Sequence, residues 1–413
     1  MSAEHLVSFL QSVASLLPSW LLLIGACIGH GFLMTTGLNI LYAWPLPHKL
    51  LKVTRKLDII VIFLGPLLFL YAMDIPGAGT LTWEPGSPRF YLAPYVVLCW
   101  IAGFVMAPAA QMLYWLRTTA PQVARSQRIT VDVAQELGFK PIGRSKQRAL
   151  ALLPGNQVFQ VDFHELTLKL PRLPPEWAGL SILHLTDLHL CGTPDRRFYQ
   201  LVLDRCLEEG VPDLVALTGD VVDSSWHHRW VMPLARRLRW NIAGFAILGN
   251  HDSWRDTRVI RRRLVRAGLD VLGNQHRLIE VRGRPMIVIG HEGPWFKPVP
   301  DLAACPEGIF RLCLSHTPDN IRWARHHKID LVLAGHVHGG QIRLPGLGSI
   351  FVPSRHSRRF DCGTFYRAPT VMHVSRGLAG QHPLRYFCRP EVTRIILQPS
   401  AASVPYPTDA PAK

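Results

Sequence analysis

Two rhythms of hydrophobic and polar positions run along this chain. Up to residue 117 the apolar runs are long and the charges sit between them. From residue 179 onward, short apolar runs alternate with amphipathic stretches. In the first region, "SWLLLIGACIGHGFLMTTGLNILYAW" (19–44) and "FYLAPYVVLCWIAGFVMAPAAQMLYWL" (90–116) contain no Asp, Glu, Lys or Arg. Both exceed the ~20 apolar residues that a spanning helix needs. A third run, 57–73, is uncharged only from Ile59 and stops at Asp74.

Loop charges orient these runs. Lys49, Lys52, Arg55 and Lys56 follow the first, and Arg117, Arg125 and Arg128 follow the last. The loop between the second and third holds only Arg89 against Asp74 and Glu84. The positive-inside rule then puts the first loop and everything after 117 in the cytoplasm, with the N-terminus outside. This arrangement closes only if 57–73 also spans. Residues 1–117 are therefore expected to form a helical transmembrane region of about three spans in the inner (cytoplasmic) membrane. A cleaved signal peptide would supply one such run behind a basic segment, not three. His30, between Gly29 and Gly31, reads as a helix-packing residue.

Residues 118–178 read as a linker with lead-in strands. Prolines punctuate the segment, and "VFQVDFHELTLKL" (158–170) alternates with period two. From 179 to 398 one phrase recurs, a β-type apolar run ending in polar residues. "LSILHLT" leads to Asp187 and His189, and "DLVALT" to Gly219, Asp220 and Asp223. "GFAIL" leads to Gly249, Asn250, His251 and Asp252, and "PMIVI" to His291. "FRLCL" leads to His316, and "IDLVLA" to Gly335, His336 and His338. The stretches 195–210, 228–240 and 256–269 carry apolar residues at helical spacing. Such alternation predicts an α/β domain with covered sheets, whose functional groups collect beyond the strand ends. Residues 399–413 are rich in Pro, Ala and Ser and read as a disordered tail.

Composition narrows the partners. With 413 residues and a formal net charge of +16, the chain could face nucleic acid, an anionic membrane or a phosphorylated substrate. No aromatic single-strand platform or DNA-binding motif is visible, which disfavours nucleic acid. The eight cysteines include no C-x-x-C pair, so neither a disulfide framework nor a zinc knuckle is indicated. Cys191 reads as an inert filler.

Each strand-end group alone has an ordinary explanation, since Asp after Gly often caps a turn or the next helix. Five together, D-x-H, G-D-x-x-D, G-N-H-D, S-H-x-P and G-H-x-H, are not explained that way. They offer Asp, Asn and neutral His without a thiolate, a set suited to Mn, Fe, Zn or Co. The groups are too many for one tetrahedral ion. A bridging carboxylate with ligands on both sides suits two divalent ions about 3.5–4 Å apart, a pair that polarises a phosphoryl oxygen and makes hydroxide from a bridging water. Gly339-Gly340 would let the backbone approach the site.

These five blocks, in this order over about 179–398, resemble the calcineurin-like metallophosphoesterase superfamily. "GHVHGGQIRLPG", "RYFCRPEVTRIIL" and "LPPEWAGLSILHLTDLHL" resemble its bacterial membrane-associated branch. That branch includes YkuE/YaeI-type phosphodiesterases and some UDP-2,3-diacylglucosamine pyrophosphatases. The resemblance implies a four-layer αββα sandwich. It implies one metal on Asp187, His189, Asp220 and His338, and a second on Asp220, Asn250, His316 and His336, with Asp220 bridging. His251 would contact the phosphate and assist the leaving group, Asp252 would orient His251, and Asp223 would support the metal loop. His316 rather than His291 matches the fourth block, and His291 is left as a strand-end histidine.

Arginines on the 256–269 helix read as a solvated or membrane-facing basic surface. Arg355, Arg358 and Arg359 are candidate contacts to substrate phosphate. The expectation is a membrane-anchored dinuclear-metal phosphohydrolase using a metal-bridging hydroxide. Its substrate would be lipid- or nucleotide-linked, of the UDP-2,3-diacylglucosamine type for example, and met at the cytoplasmic face. The alternatives are a tethered phosphodiesterase for soluble nucleotides and an inactive membrane scaffold.

Overall fold

A computed structural model describes residues 17–74 and 83–400. Most of the expected C-terminal tail, and part of the 74–90 loop, lie outside these residues. The chain divides into two compact units, one ending at Arg117 and one beginning at Thr118 that also takes in residues 43–45.

The first unit contains α1 (Ser19–Tyr42), α2 (His48–Ala72) and α3 (Pro88–Trp115). Helix α3 passes through a wider π-type turn at Ala102–Met106. Small residues let α1 and α3 approach closely: a Cβ on Gly29 would lie 1.8 Å from the Cys99 carbonyl oxygen. His30 packs as expected, its Nε2 at 3.0 Å from the Val61 carbonyl. Helices α1 and α3 are long and apolar enough to cross a membrane. Helix α2 is not among these two, because Lys49, Lys52, Arg55, Lys56 and Asp58 occupy its first three turns. Phe63 and Leu67 nevertheless turn their side chains outward, as Ile28 on α1 and Val105 on α3 do.

The second unit is built on two sheets, with strands numbered in chain order. One sheet runs β1 (Val123–Asp132), β2 (Gln160–Leu170), β15 (Glu391–Pro399), β3 (Leu180–Leu185), β4 (Leu214–Thr218), β5 (Ala243–Ile247) and β6 (Asp270–Val271). The other runs β13 (Gly363–Arg367), β14 (Thr370–Val374), β10 (Leu331–Ala334), β9 (Phe310–Ser315), β8 (Arg284–His291) and β7 (His276–Val281). A small hairpin pairs β11 (Arg343–Leu344) with β12 (Gly348–Ser349). Strands β3 to β6 are mutually parallel, and so are β8, β9, β10 and β14.

Both sheets have helices on their outer faces. Beside the short α4 (Val133–Leu137), α5 (Arg196–Arg205) and α6 (His228–Ala235) cover the first sheet, with Phe198, Val202, Val231 and Leu234 turned inward. After the single turn α7 (Asn250–Ser253), α8 (Thr257–Arg266) adds Ile260 and Leu264. Asp195 and Asp256 accept the first free N–H groups of α5 and α8, which starts these helices where the polarity pattern changes. Helix α9 (Ile321–His326) packs Ile321 and Ala324 on the second sheet. Between the sheets lies a third apolar layer that includes Leu166, Ile182, Phe245, Val288, Leu314 and Leu333. The result is the four-layer αββα sandwich.

Two boundaries differ from expectation. The strand expected within 158–170 is β2, but residues 118–178 are more than a linker, because β1 and β2 extend the first sheet and β2 pairs in parallel with β15. Strand β1, "VARSQRITVD", is an edge strand exposed along most of its length, so it lacks the apolar face that would announce it. The last strand reaches Pro399, the first residue of the expected tail.

Towards one end of the inter-sheet layer, leucines give way to histidines. His164 on β2, His184 on β3 and His373 on β14 share the facing side with Glu391 and Thr393 of β15, all buried. His184 Nε2 meets the Thr218 hydroxyl at 2.9 Å, and His164 Nε2 meets Ser126 at 2.9 Å. Burial pushes His164 and His184 each down to about 4, overcoming the raising effect of Glu391. An unfolded chain would take up protons near the ordinary value of 6.5 while the folded one does not. Stability is therefore lost as pH falls from about 6.5 towards 4, by roughly 3 kcal/mol per histidine at completion. The melting temperature of the detergent-solubilised chain should drop across that window, and His164→Gln should make the drop shallower. A flat profile for the wild-type chain would contradict this account.

Candidate metal centre

The loops leaving β3, β4, β5, β9 and β10 converge. After β3, the Asp187 N–H donates to the Gly219 carbonyl and the His189 N–H to the Asp220 carbonyl, each within 3.0 Å, which locks two strand-end loops together. The Asp187 carboxylate accepts from the His336 backbone N–H at 3.0 Å and from the Thr186 hydroxyl at 2.9 Å. The chain thus joins the first sheet's donors to the second's.

Around this knot, Asp187, His189, Asp220 and His338 bring one donor atom each to within 4.8 Å of one another. Asp220, His316 and His336 form a second such group. The Asn250 amide oxygen sits 2.9 Å from His316 Nε2 and so joins the second group. All seven residues singled out as ligands are brought together, with Asp220 common to both sets.

Hydrogen bonds settle which ring nitrogens face inward. His316 Nδ1 donates to the Thr218 carbonyl at 2.8 Å and His338 Nδ1 to the Ala379 carbonyl at 3.1 Å. Their Nε2 atoms are left to face the cluster. Asp220 Oδ2 and His336 Nε2 are buried without a hydrogen-bond partner. Burial pushes His336 and His338 down to about 3, so both are neutral and able to bind a cation. Burial alone would raise the Asp187 carboxyl, but His338 and His189 outweigh it and hold the group well below the carboxylate range. His189 behaves in the opposite sense: burial would lower it, yet Asp223, Asp187 and Asp220 keep it well above its usual value. The His189 and His338 Nε2 atoms lie 3.1 Å apart, so a proton on His189 occupies the kind of place a metal would take. Neutral imidazoles, carboxylates and orphaned acceptors therefore fit a pair of divalent ions.

Backbone strain accompanies this convergence. Asp187, His189, Asp220, His336 and His338 all have left-handed φ, between 43° and 71°. Non-glycine residues rarely take this conformation, and Asp and His are among those that tolerate it. The H-x-H segment is thus not extended: β10 stops at Ala334, and a tight turn follows from His338. Close approach depends on other glycines than the Gly339-Gly340 pair. A Cβ on Gly249 would fall 2.2 Å from Asp220 Oδ1, and one on Gly335 would fall 2.4 Å from Asp187 Oδ2. A Cβ on Gly339 would instead meet Cys388, and one on Gly340 would meet Ser349.

The expected roles of Asp252 and Asp223 are also exchanged. Asp252 does not orient His251. Its carboxylate accepts the backbone N–H groups of Val221, Val222 and Gly249 at 2.9–3.1 Å, fixing the turn that carries Asp220. Asp223 binds His251 Nδ1 through one oxygen and His189 Nδ1, at 2.9 Å, through the other. Adjacent residues on a helical turn diverge by about 100°, so His251 and Asp252 cannot face the same group.

Other residues singled out in the sequence have the following surroundings. His291 is buried against the Trp323 ring, with Asn320 Nδ2 3.1 Å from its Nδ1. Its neighbour Glu292 accepts the Leu248 N–H at 2.6 Å and pairs with Arg261 of α8. Arg355 is held by Asp319, Arg358 donates to the Leu347 carbonyl, and Arg359 lies over the Phe360 ring. Burial pushes the Cys191 thiol up to about 11, which does not suit a nucleophile. Residues the sequence did not point to are Arg385, buried and donating to the His338 and Ala379 carbonyls, and two tryptophans. Trp295 lies 4.8 Å from the His336 ring and Trp254 lies 4.7 Å from that of His251, centroid to centroid.

A four-layer sandwich with such a donor cluster at its strand ends defines a metal-dependent phosphoesterase. Comparison with known proteins agrees: the family described as calcineurin-like phosphoesterase matches residues 180–340. The chain is 32% identical over 229 residues to phosphodiesterase YaeI of Escherichia coli K12, covering 53% of this chain and 83% of that one. To the uncharacterized metallophosphoesterase YkuE of Bacillus subtilis 168 it is 29% identical over 247 residues, 58% of this chain and 86% of the other. The UDP-2,3-diacylglucosamine pyrophosphatase LpxG of Chlamydia muridarum is 25% identical over 288 residues, with 54% and 85% covered. The chain belongs to the calcineurin-like metallophosphoesterases and is a phosphoric ester hydrolase.

The exchanged aspartates predict different defects. Asp223→Ala should cut hydrolysis of bis(p-nitrophenyl) phosphate by about 10²–10⁴-fold and reshape its pH–rate profile. Asp252→Ala should mainly lower the melting temperature, because three buried N–H groups lose their acceptor at about 1–3 kcal/mol each. A reshaped pH profile in Asp252→Ala with an unaltered one in Asp223→Ala would reverse the assignment.

Proposed function

We propose that this chain is a membrane-anchored phosphohydrolase that cleaves a phosphodiester or pyrophosphate bond in a lipid-linked substrate at the cytoplasmic face. Two divalent ions would be its resident cofactors. The observation that supports this reading best is the pair of donor sets sharing Asp220, with Asp220 Oδ2 and His336 Nε2 buried and unbonded. Bare acceptors in a dry site cost free energy unless a cation occupies the space they face. Asp187, His189, Asp220 and His338 would hold one ion, and Asp220, Asn250, His316 and His336 the other. When bound, such ions polarise a phosphoryl oxygen and acidify a coordinated water.

The chain's own groups supply the rest. His251, held at Nδ1 by Asp223, has Nε2 left to give a proton to the departing oxygen. Asp223 stabilises the imidazolium and also sets the tautomer of His189. Asp252 and Gly249 keep Asp220 in its left-handed turn. Helices α1 and α3, with α2 as the third span that the loop charges require, are the anchor, and the basic residues flanking the apolar runs favour a cytoplasmic catalytic unit. The likeness to LpxG makes UDP-2,3-diacylglucosamine the first lipid-linked substrate to test.

Mn-loaded full-length protein, assayed for products with UDP-2,3-diacylglucosamine and with a soluble nucleotide diester, tests the reading. Turnover of the acylated compound is expected. Turnover of the soluble diester alone would favour a tethered nucleotide phosphodiesterase, and turnover of neither would favour an inactive scaffold. Asp220→Ala should reduce hydrolysis by on the order of 10³-fold and lower bound metal, as measured by elemental analysis. Unchanged turnover in that variant would rule out the shared-carboxylate centre.

A further inference from the structure

Three separate segments meet at the rim next to His338. The hairpin β11–β12 follows the His338 turn directly, and its Arg343 N–H donates to the Tyr386 carbonyl at 2.9 Å. The Tyr386 N–H donates to the Gln341 carbonyl at 3.1 Å, and its hydroxyl donates to the Pro154 carbonyl at 2.8 Å. Asn156 Nδ2 donates to both the Leu150 and Pro383 carbonyls, at 2.9 and 2.8 Å. Residues 148–157, 341–349 and 382–388 therefore form one tied surface. Buried Arg385 fastens it to the His338 carbonyl at 3.1 Å.

This surface carries apolar side chains in the open. Phe387 is 65% exposed, Leu152 57%, Leu347 49% and Leu153 44%, with Ile342 and Leu344 beside them. Single exposed leucines are ordinary, but a contiguous group on tied segments marks an interaction face. Immediately before the apolar turn, Arg144, Lys146 and Arg148 are exposed as well. A basic margin around an apolar patch complements the anionic headgroup layer of a bilayer, with hydrocarbon beneath it. A second copy of the same face would bring like charges together in a chain of net charge +16. A bilayer is available to the chain through its two helices of spanning length.

We propose that Leu152, Leu153, Ile342, Leu344, Leu347 and Phe387 form a face that docks the catalytic unit on an anionic bilayer surface. This places the rim beside His338 at the level of the lipid headgroups. The inference rests on the reading of the histidine–aspartate cluster as the catalytic centre, and it adds how a bilayer-resident phosphate would reach that centre. Amphipathic substrates would enter along the apolar rim with their phosphate leading.

The test reconstitutes the full chain in phosphatidylcholine nanodiscs containing phosphatidylglycerol with a photoactivatable diazirine in its acyl chain. After illumination, labelled peptides are mapped by mass spectrometry. Peptides holding 152–153, 342–347 and 387 should be labelled along with 19–42. Leu347→Asp/Phe387→Asp should reduce the rim labelling by about tenfold and leave the 19–42 labelling intact. Leu152→Asp/Leu153→Asp serves as an independent second variant. A labelled 19–42 with an unlabelled rim overturns the proposal, as does rim labelling unaltered in both variants. Rim protection that appears only in discs holding two copies assigns the face to self-association and also overturns it. Hydrolysis of bis(p-nitrophenyl) phosphate by the same samples reports separately on the centre. Its absence in the wild-type protein defeats the catalytic reading whatever the labelling, and its retention in the variants shows that they are folded.

Discussion

One carboxylate has to serve two sets of donors, and much of the catalytic unit is arranged around that requirement. Asp220 ends β4 in a left-handed conformation, and its oxygens face His189 on one side and His316 on the other, at 3.5 and 3.3 Å. Holding a buried anion in a disfavoured backbone state demands support from every direction. Asp252 supplies it from below by gathering the N–H groups of the same turn, and Gly249 permits it by having no side chain. Burial opposes the charge on Asp220, and His316, His251 and His189 outweigh that opposition, leaving the carboxyl well below its usual range.

The sandwich makes this convergence geometrically available. Each sheet has a parallel core, so β3, β4 and β5 end on one side of the cluster and β9 and β10 on the other. Around the cluster, polar ties add to the apolar layer that joins the two sheets. The His336 N–H reaches Asp187, and Glu292 from β8 reaches Leu248 at the end of β5. The inter-sheet layer already turns polar on approach, through His184 and Thr218. Depressed histidine basicity keeps His164 and His184 neutral, which lets them lie in a dry interior.

Charge in this chain has several uses at once. Among the arginines of α8, Arg261 is not free basic surface but pairs with the buried Glu292. Arg376 pairs with Glu391 and Asp162 deep in the sandwich, and Arg385 spans backbone carbonyls around His338. Net charge alone therefore overstates how much basic surface remains for lipid or phosphate. The outward faces of the first unit, by contrast, are apolar, with residues such as Phe63 and Leu67 exposed.

The sequence by itself determined the residue types and their order along the chain. The donors at the ends of β3, β4, β5, β9 and β10 were legible because buried parallel strands are continuous apolar runs that stop abruptly. The long apolar runs of α1 and α3 were legible for a similar reason. Other features were decided only in three dimensions. Strands β1 and β2 join the sheet through pairing with β15, more than two hundred residues away, and an exposed edge strand leaves no apolar trace. The division of labour between Asp223 and Asp252 depends on a 100° step around one helical turn. The contacts of Glu292 with Leu248 and Arg261, beside a His291 packed on Trp323, depend on which residue of a strand end faces the neighbouring sheet. The directions of His336 and His338 follow from left-handed φ angles that period-two reasoning cannot contain. A linear pattern records which groups are present, whereas where they point is set by backbone torsions and by contacts between distant segments.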